Sequence, residues 1–197
     1  MKGTNTMESV RIIEENNSRN EYYSVREYMF KNRELVLDEG VNSATMTELV
    51  CDIMYLDRVA PGEEITLYIN SPGGSVVDGL ALYDFLKMVK SPIKTVVIGT
   101  AASMGAILFL SGDRRCITTH GRILLHDPSI TLGDQPTKAL SIKETLDDIM
   151  KVREELAKII SQRTGKPLRS VYAKTKTDSW FTAEEALEFG IATEILE

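Results

Sequence analysis

Apolar positions along this chain switch repeatedly between a spacing of two, the strand rhythm, and a spacing of three to four, the helix rhythm. RELVLDEGV reads as a short strand, and NSATMTELVCDIMYLDRV then sets Met46, Leu49, Val50, Ile53, Met54 and Leu56 at helical spacing behind polar capping residues. PGEE predicts a turn, ITLYIN an alternating strand that ends in SPGGS, and VVDGLALYDFLKMVK a helix. The rhythm repeats: SPIKTVVIGT predicts turn then strand, and SMGAILFLSG a helix for which Gly112 is the expected C-terminal stop, one residue past the end. Two short strands flank a turn at His120 and Gly121 within RCITTHGRILLHDP, and SITLGDQPTKALS is a polar excursion. The longest helix, IKETLDDIMKVREELAKIISQRTG, carries Ile142, Leu146, Ile149, Met150, Leu156, Ile159 and Ile160 as an apolar stripe that only Arg153 interrupts. Such a stripe must face something. The final stretch, DSWFTAEEALEFGIATEIL, offers Thr182 and Glu185 as a capping box and Gly190 as a stop. Residues 1–20 show no periodicity beyond VRII and read as a mobile arm, with residues 21–197 as one domain. The succession of strands and helices predicts an α/β chain of repeated ββα-like units.

Composition narrows the function classes. At 197 residues, with 43% hydrophobic and 26% charged positions, the chain can bury a continuous core without staples. A net charge of −6 with both signs interspersed leaves no basic stripe to neutralise phosphates, which argues against nucleic acid as a partner. Cys51 and Cys116 have neither disulfide-framework nor metal-ligand spacing, and their apolar neighbours predict two buried thiols in a reducing cytosol. MKGTNTMESVRIIEENNSRNE has no apolar segment of the secretory kind, so a cytoplasmic location is expected. The uncharged run from Thr95 to Gly112 nears membrane-span length, but three glycines and four Ser/Thr interrupt it, and no membrane partner is expected.

Ser103 is the first candidate for chemistry. AASMG has the form of the G-x-S-x-G nucleophile elbow with Ala101 at its first glycine, at a strand-to-helix junction. A serine there can equally be a helix cap, and the motif alone does not decide. A nucleophile needs a base, and the chain has two histidines. His126 follows the strand RILL and opens into a turn, where a group can be held yet exposed, whereas His120 sits inside a tight turn; His126 is the better base. The orienting acid is to be found among Asp127, Asp134, Asp147, Asp148 and Asp178. Asp127 would point elsewhere if its strand continues, Asp147 and Asp148 belong to a charged helix, and Asp178 precedes the apolar pair Trp180-Phe181, which makes it the preferred choice. In SPGGS, Gly73 and Gly74 let backbone approach a ligand closely, and the N–H groups of Gly74 and Met104 could form the two donors of an oxyanion hole; a plain Pro-Gly turn is the alternative.

Four segments, LYINSPGGSV, GTAASMGAILFLSG, RILLHDP and TDSWFTAEEALEFGIATEIL, taken in this order and spacing, resemble the proteolytic subunit of the Clp protease from about Val10 to the end. The resemblance implies a ClpP/crotonase-like fold with a protruding helical handle at about residues 129–165, and serine peptidase activity on unfolded polypeptides. It also implies heptameric rings stacked into a tetradecamer, fed by a separate Clp-type ATPase. The family's nucleophile, base and acid fall on Ser103, His126 and Asp178, and its oxyanion donors on Gly74 and Met104. Extended substrate would pair with Gly73, Ser75 and Val76 on one side and with a strand containing Leu132 and Gly133 on the other. No cofactor or metal is implied, and no phosphate-binding G-x-x-x-x-G-K-[ST] loop is present, so energy-driven unfolding would need another chain.

The chain departs from the family pattern at Thr66, where a tyrosine commonly lines the ATPase-loop pocket. It departs again at Lys176 and Thr177, where an acid and an arginine commonly pair between rings. These departures keep open a poorly active subunit of a mixed ring with a paralogue. A crotonase-type acyl-CoA enzyme is the other rival, set apart by Ser103 with His126 where such enzymes place a carboxylate.

Overall fold

The computed structural model describes residues 11–16, 19–130 and 138–197. Two antiparallel strands, β1 (Arg11–Asn16) and β2 (Arg19–Ser24), lead into α1 (Val25–Lys31), whose first turn is closed by a capping box of Ser24 and Glu27. Strand and helix then alternate as the apolar rhythm predicts: β3 (Glu34–Leu37), α2 (Ser43–Val59), β4 (Ile65–Ser71), α3 (Val76–Leu86), β5 (Ile93–Ala102) and α4 (Met104–Ser111). The second half contains β6 (Arg114–Thr118), β7 (Arg122–Leu125), α5 (Ala139–Thr164), α6 (Leu168–Thr175), β8 (Ser179–Phe181), α7 (Ala183–Phe189) and β9 (Glu194–Leu196).

The main sheet runs β3-β4-β5-β6-β9, all parallel, because helices occupy the connections and return each strand to the same end. β5 is the branch point. Its first half pairs with β6 over Lys94–Val97, and its second half pairs with β7 over Thr100–Ala102. β7 in turn carries β8 antiparallel on its far side. Helix α4 is buried along its whole length, packed between β5 on one side and α3 and α5 on the other, as an all-apolar helix must be. The C-terminal half of α5 joins this core through Leu156, Ala157 and Ile160, whereas Ile142, Leu146 and Met150 of its other half are 40–54% exposed.

Several expectations are corrected. β1 and the first two residues of β2 lie in the stretch read as an unpatterned arm, and α1, α6, β8 and β9 are too short or too polar to show a clear period. Gly112 ends α4 with φ −63° and ψ 142°, not in the left-handed region; glycine is needed there for room, since a Cβ would run into Thr95 Oγ1 and stand 2.9 Å from the Arg114 carbonyl oxygen. Cys51 is exposed on α2, and only Cys116 is buried. Burial, then the nearby Glu194 carboxylate, raises the Cys116 thiol above its ordinary pKa and keeps it protonated. Thr182 and Glu185 do form the capping box, and Gly190 ends α7 in the left-handed region with φ 85°. The uncharged run divides into β5 and α4, and among the described residues no helix is long and apolar enough to cross a membrane.

Candidate active site

The branch at β5 brings three distant segments together. Ser103 follows the last residue of β5, and its N–H donates to the Leu124 carbonyl of β7 at 3.0 Å. His126 follows the last residue of β7, and Asp178 precedes the first residue of β8. The antiparallel register ends with Leu125 paired to Ser179, and His126 and Asp178 are the next residues beyond that pair on the two chains. Serine, histidine and aspartate thus occupy the ends of three neighbouring strands.

Ser103 has φ 54° and ψ −121°, a region L-residues avoid at a cost of about 1–3 kcal/mol. This angle is the sharp turn of an elbow, forced between a strand and a buried helix. Helix α4 begins from the Ser103 carbonyl, which accepts from Ala106 N at 3.0 Å and Ile107 N at 3.2 Å. The side chain makes no capping bond, so of the two readings the cap falls to the backbone and the hydroxyl is left for other work. Gly105 lets the loop pack closely behind it: a Cβ there would sit 3.1 Å from the Ser71 carbonyl oxygen, and the loop would have to give by a few tenths of an ångström.

The SPGGS loop lies against this elbow. A Cβ on Gly73 would stand 2.5 Å from Ala102 O, 2.8 Å from Ser103 Cβ and 2.9 Å from Met104 N. Ser71 pins the loop by accepting from Gly73 N at 3.2 Å and donating to the Glu39 carbonyl at 2.6 Å. Val41 bridges on either side of Gly74, receiving Ser75 N–H at 2.8 Å and donating to Gly73 O at 2.9 Å. Gly74 has φ 150°, and among the described residues its N–H meets no acceptor. Met104 opens α4, so its N–H belongs to the unpaired first turn and to the positive end of the helix dipole. Two N–H groups without an acceptor among the described residues, beside the Ser103 hydroxyl, are the donors that can stabilise a developing oxyanion. Ser75 caps α3 by accepting from Asp78 N at 3.4 Å, and Val76 borders the cleft.

The cleft enclosed by Val76, Ser103, Met104, His126, Arg153 and Thr175 holds about 20 Å³, space for about one water. A far larger groove of about 790 Å³ runs between α1, β3 and α2, and neither histidine nor Ser103 borders it. Beside that groove Tyr68 donates to Glu34 Oε1 at 3.0 Å; burial, then this carboxylate, raises the phenol's pKa. Thr66 stands opposite Glu34 in the sheet register.

The His126 imidazole is engaged with its own chain neighbour. Its Nδ1 lies 2.6 Å from the carbonyl oxygen of Asp127. A carbonyl can only accept, so Nδ1 carries the proton, and in the neutral ring Nε2 holds the lone pair. Among the described residues no hydrogen bond joins His126 to Ser103 or to Asp178, which is exposed. The expectation that Asp127 points elsewhere holds only if its strand continues, and β7 ends at Leu125; its carboxylate is instead held by Arg153, accepting from Nε at 2.5 Å, and its N–H donates to the Thr175 carbonyl at 2.7 Å. The Arg153 guanidinium also stacks over the Tyr172 ring at 4.3 Å. Sequence reasoning missed this contact, although Arg153 interrupting an apolar stripe was its signal.

His120 is an exposed turn residue, and Asp147 and Asp148 are exposed on α5. Phe181 is buried while Trp180 is 48% exposed, so Asp178 is placed by strand pairing and not by a buried aromatic pair. Lys176 and Thr177 are exposed. Leu132, Gly133 and Asp134 lie outside the described residues.

The Clp protease family model matches residues 16–197. A match of that extent takes in every strand and helix that builds the cleft, from the SPGGS loop to β8, and on it the chain belongs to the Clp protease family.

Proposed function

We propose that this chain is a serine endopeptidase that hydrolyses peptides and unfolded polypeptides, with Ser103 as nucleophile, His126 as general base and Asp178 as its orienting acid. The observation that carries the reading is Ser103 itself, held at φ 54° with its hydroxyl outside any capping bond and its Cβ against Gly73. His126 takes the Ser103 proton as Oγ attacks the substrate carbonyl, and Asp178 stabilises the imidazolium. The oxyanion is held by Gly74 and Met104 N–H groups; the imidazolium then protonates the leaving amine, and water releases the acyl group by the same route. Substrate backbone pairs beside Gly73, Ser75 and Val76, with Leu132 and Gly133 completing the other edge. The exposed Ile142, Leu146 and Met150 stripe of α5 supports its use as a handle between two heptameric rings, and a separate ATPase would unfold substrates and deliver them in the cytoplasm. No cofactor enters this chemistry.

Turnover of short fluorogenic peptides by the parent chain, and its loss on Ser103→Ala in a protein of unchanged assembly mass, tests the proposal; equal turnover in the two proteins overturns it. A second reading, a weakly active subunit of a mixed ring, is favoured by the imidazole's bond to the Asp127 carbonyl and by Lys176 and Thr177. It predicts that turnover rises only when a paralogous subunit is mixed in.

A further inference from the structure

Asp127 is held at three points. Its carboxylate is on Arg153 of α5, its N–H is on Thr175 at the end of α6, and its carbonyl is on His126 Nδ1. With the N–H and the side chain both tied, the Asp127 peptide has little freedom, and the carbonyl is presented to the imidazole as a fixed acceptor. The ion pair is half-buried, with 26% and 28% of the two side chains exposed, and the guanidinium is further fixed by the Tyr172 ring. The imidazole therefore has two acceptors to choose between: this neutral carbonyl, which it occupies, and the carboxylate of Asp178, the residue next to the Ser179 that closes the β7–β8 register opposite Leu125. Only the second stabilises the imidazolium formed during attack. Thr175, whose buried Oγ1 has no partner among the described residues, borders the same cleft.

We infer that Asp127 is a positioning residue that, through its ion pair with Arg153, latches His126 on the Asp127 carbonyl and holds it off Asp178. The inference rests on the serine-hydrolase reading given above. Loosening the latch shifts the population of imidazoles toward the carboxylate, and attack by Ser103 quickens in proportion.

The test reacts the full-length chain with a fluorophosphonate and follows the adduct by intact mass. The proteins compared are the parent, Asp127→Asn, Arg153→Gln, the double variant, Arg153→Lys and Ser103→Ala. Loss of a half-buried ion pair predicts about five-fold faster labelling for Asp127→Asn and for Arg153→Gln, the factor that corresponds to a modest shift in a two-state balance. The double variant should be no faster than either single one, since both remove the same contact, and Arg153→Lys should restore part of the parent's slowness. Circular dichroism restricts the comparison to folded proteins. One further measurement needs no change at the latch. In 15N-histidine protein the Nδ1 proton resonance of His126 should be unmoved by Asp178→Asn, because the carbonyl is its partner. Folded Asp127→Asn and Arg153→Gln proteins that label no faster than the parent overturn the latch, as does an Nδ1 resonance that moves with Asp178→Asn. Absence of Ser103 labelling in every protein overturns instead the hydrolase reading on which it rests.

Discussion

Replacing Gly73 by alanine isolates the contact on which the proposed oxyanion hole depends. Two costs arise. Gly73 has φ 87°, and an L-residue held there loses about 1–2 kcal/mol. The new Cβ also falls 2.5 Å from Ala102 O and 2.9 Å from Met104 N, both backbone atoms that cannot rotate away, which adds about 1–3 kcal/mol of overpacking. Gly62 supplies the control: its φ is 89°, nearly the same, but nothing stands within 4 Å of its would-be Cβ. Gly62→Ala should therefore lose about 1 kcal/mol and keep full activity, whereas Gly73→Ala should lose about 3 kcal/mol. Gly73→Ala should also lose about 100-fold in peptide turnover, because relief of the clash displaces the Met104 N–H and Ser103 together. Urea unfolding at one protein concentration, paired with turnover of a fluorogenic peptide, reads both quantities. Equal stability losses for the two variants, with turnover retained in Gly73→Ala, would refute the reasoning.

Thr182→Ala removes the acceptor of Glu185 N–H and should cost about 1 kcal/mol in urea unfolding without altering turnover. Asp57 accepts the N–H groups of Lys90 at 3.0 Å and Ser91 at 2.8 Å; desolvation opposes these bonds, but together they depress its pKa. A depressed carboxylate contributes stability that is present above its unfolded value of about 3.9 and lost as pH falls through the folded value. Asp57→Ala should thus lose about 1 kcal/mol at pH 7, and the difference from the parent should shrink on acidification below that range. Leu146→Glu places a charge in the exposed stripe of α5 and should lower the assembly mass seen by sedimentation while leaving the unfolding free energy within about 0.5 kcal/mol.

Much of the fold was legible because long elements leave long periods. α2, β4, α3, β5 and α5 follow the apolar spacing closely, and the SPGGS and AASMG junctions stand out as breaks between them. What was not legible lies in elements of three to eight residues. β8 and β9 are three residues each, too short for alternation to register, yet β8 is what brings Asp178 to the same end of the β7–β8 pairing as His126. The choice of Asp178 from its apolar neighbours reached a position that strand pairing supports, for a reason that Trp180 does not bear out. The branch of β5 between β6 and β7 is a tertiary fact with no local signature, and it is what brings Ser103 beside the end of β7. Asp127 shows the same limit at one residue. β7 ends at Leu125, so strand alternation does not reach it; its side-chain direction is set by Arg153 and the role of its carbonyl depends on Arg153 and Thr175, 26 and 48 positions away.

Peptide mapping of the fluorophosphonate adduct tests the central claim most directly. The account predicts one adduct per chain, on Ser103, with none formed on Ser103→Ala; an adduct on any other residue, or none on the folded and assembled parent, would contradict it.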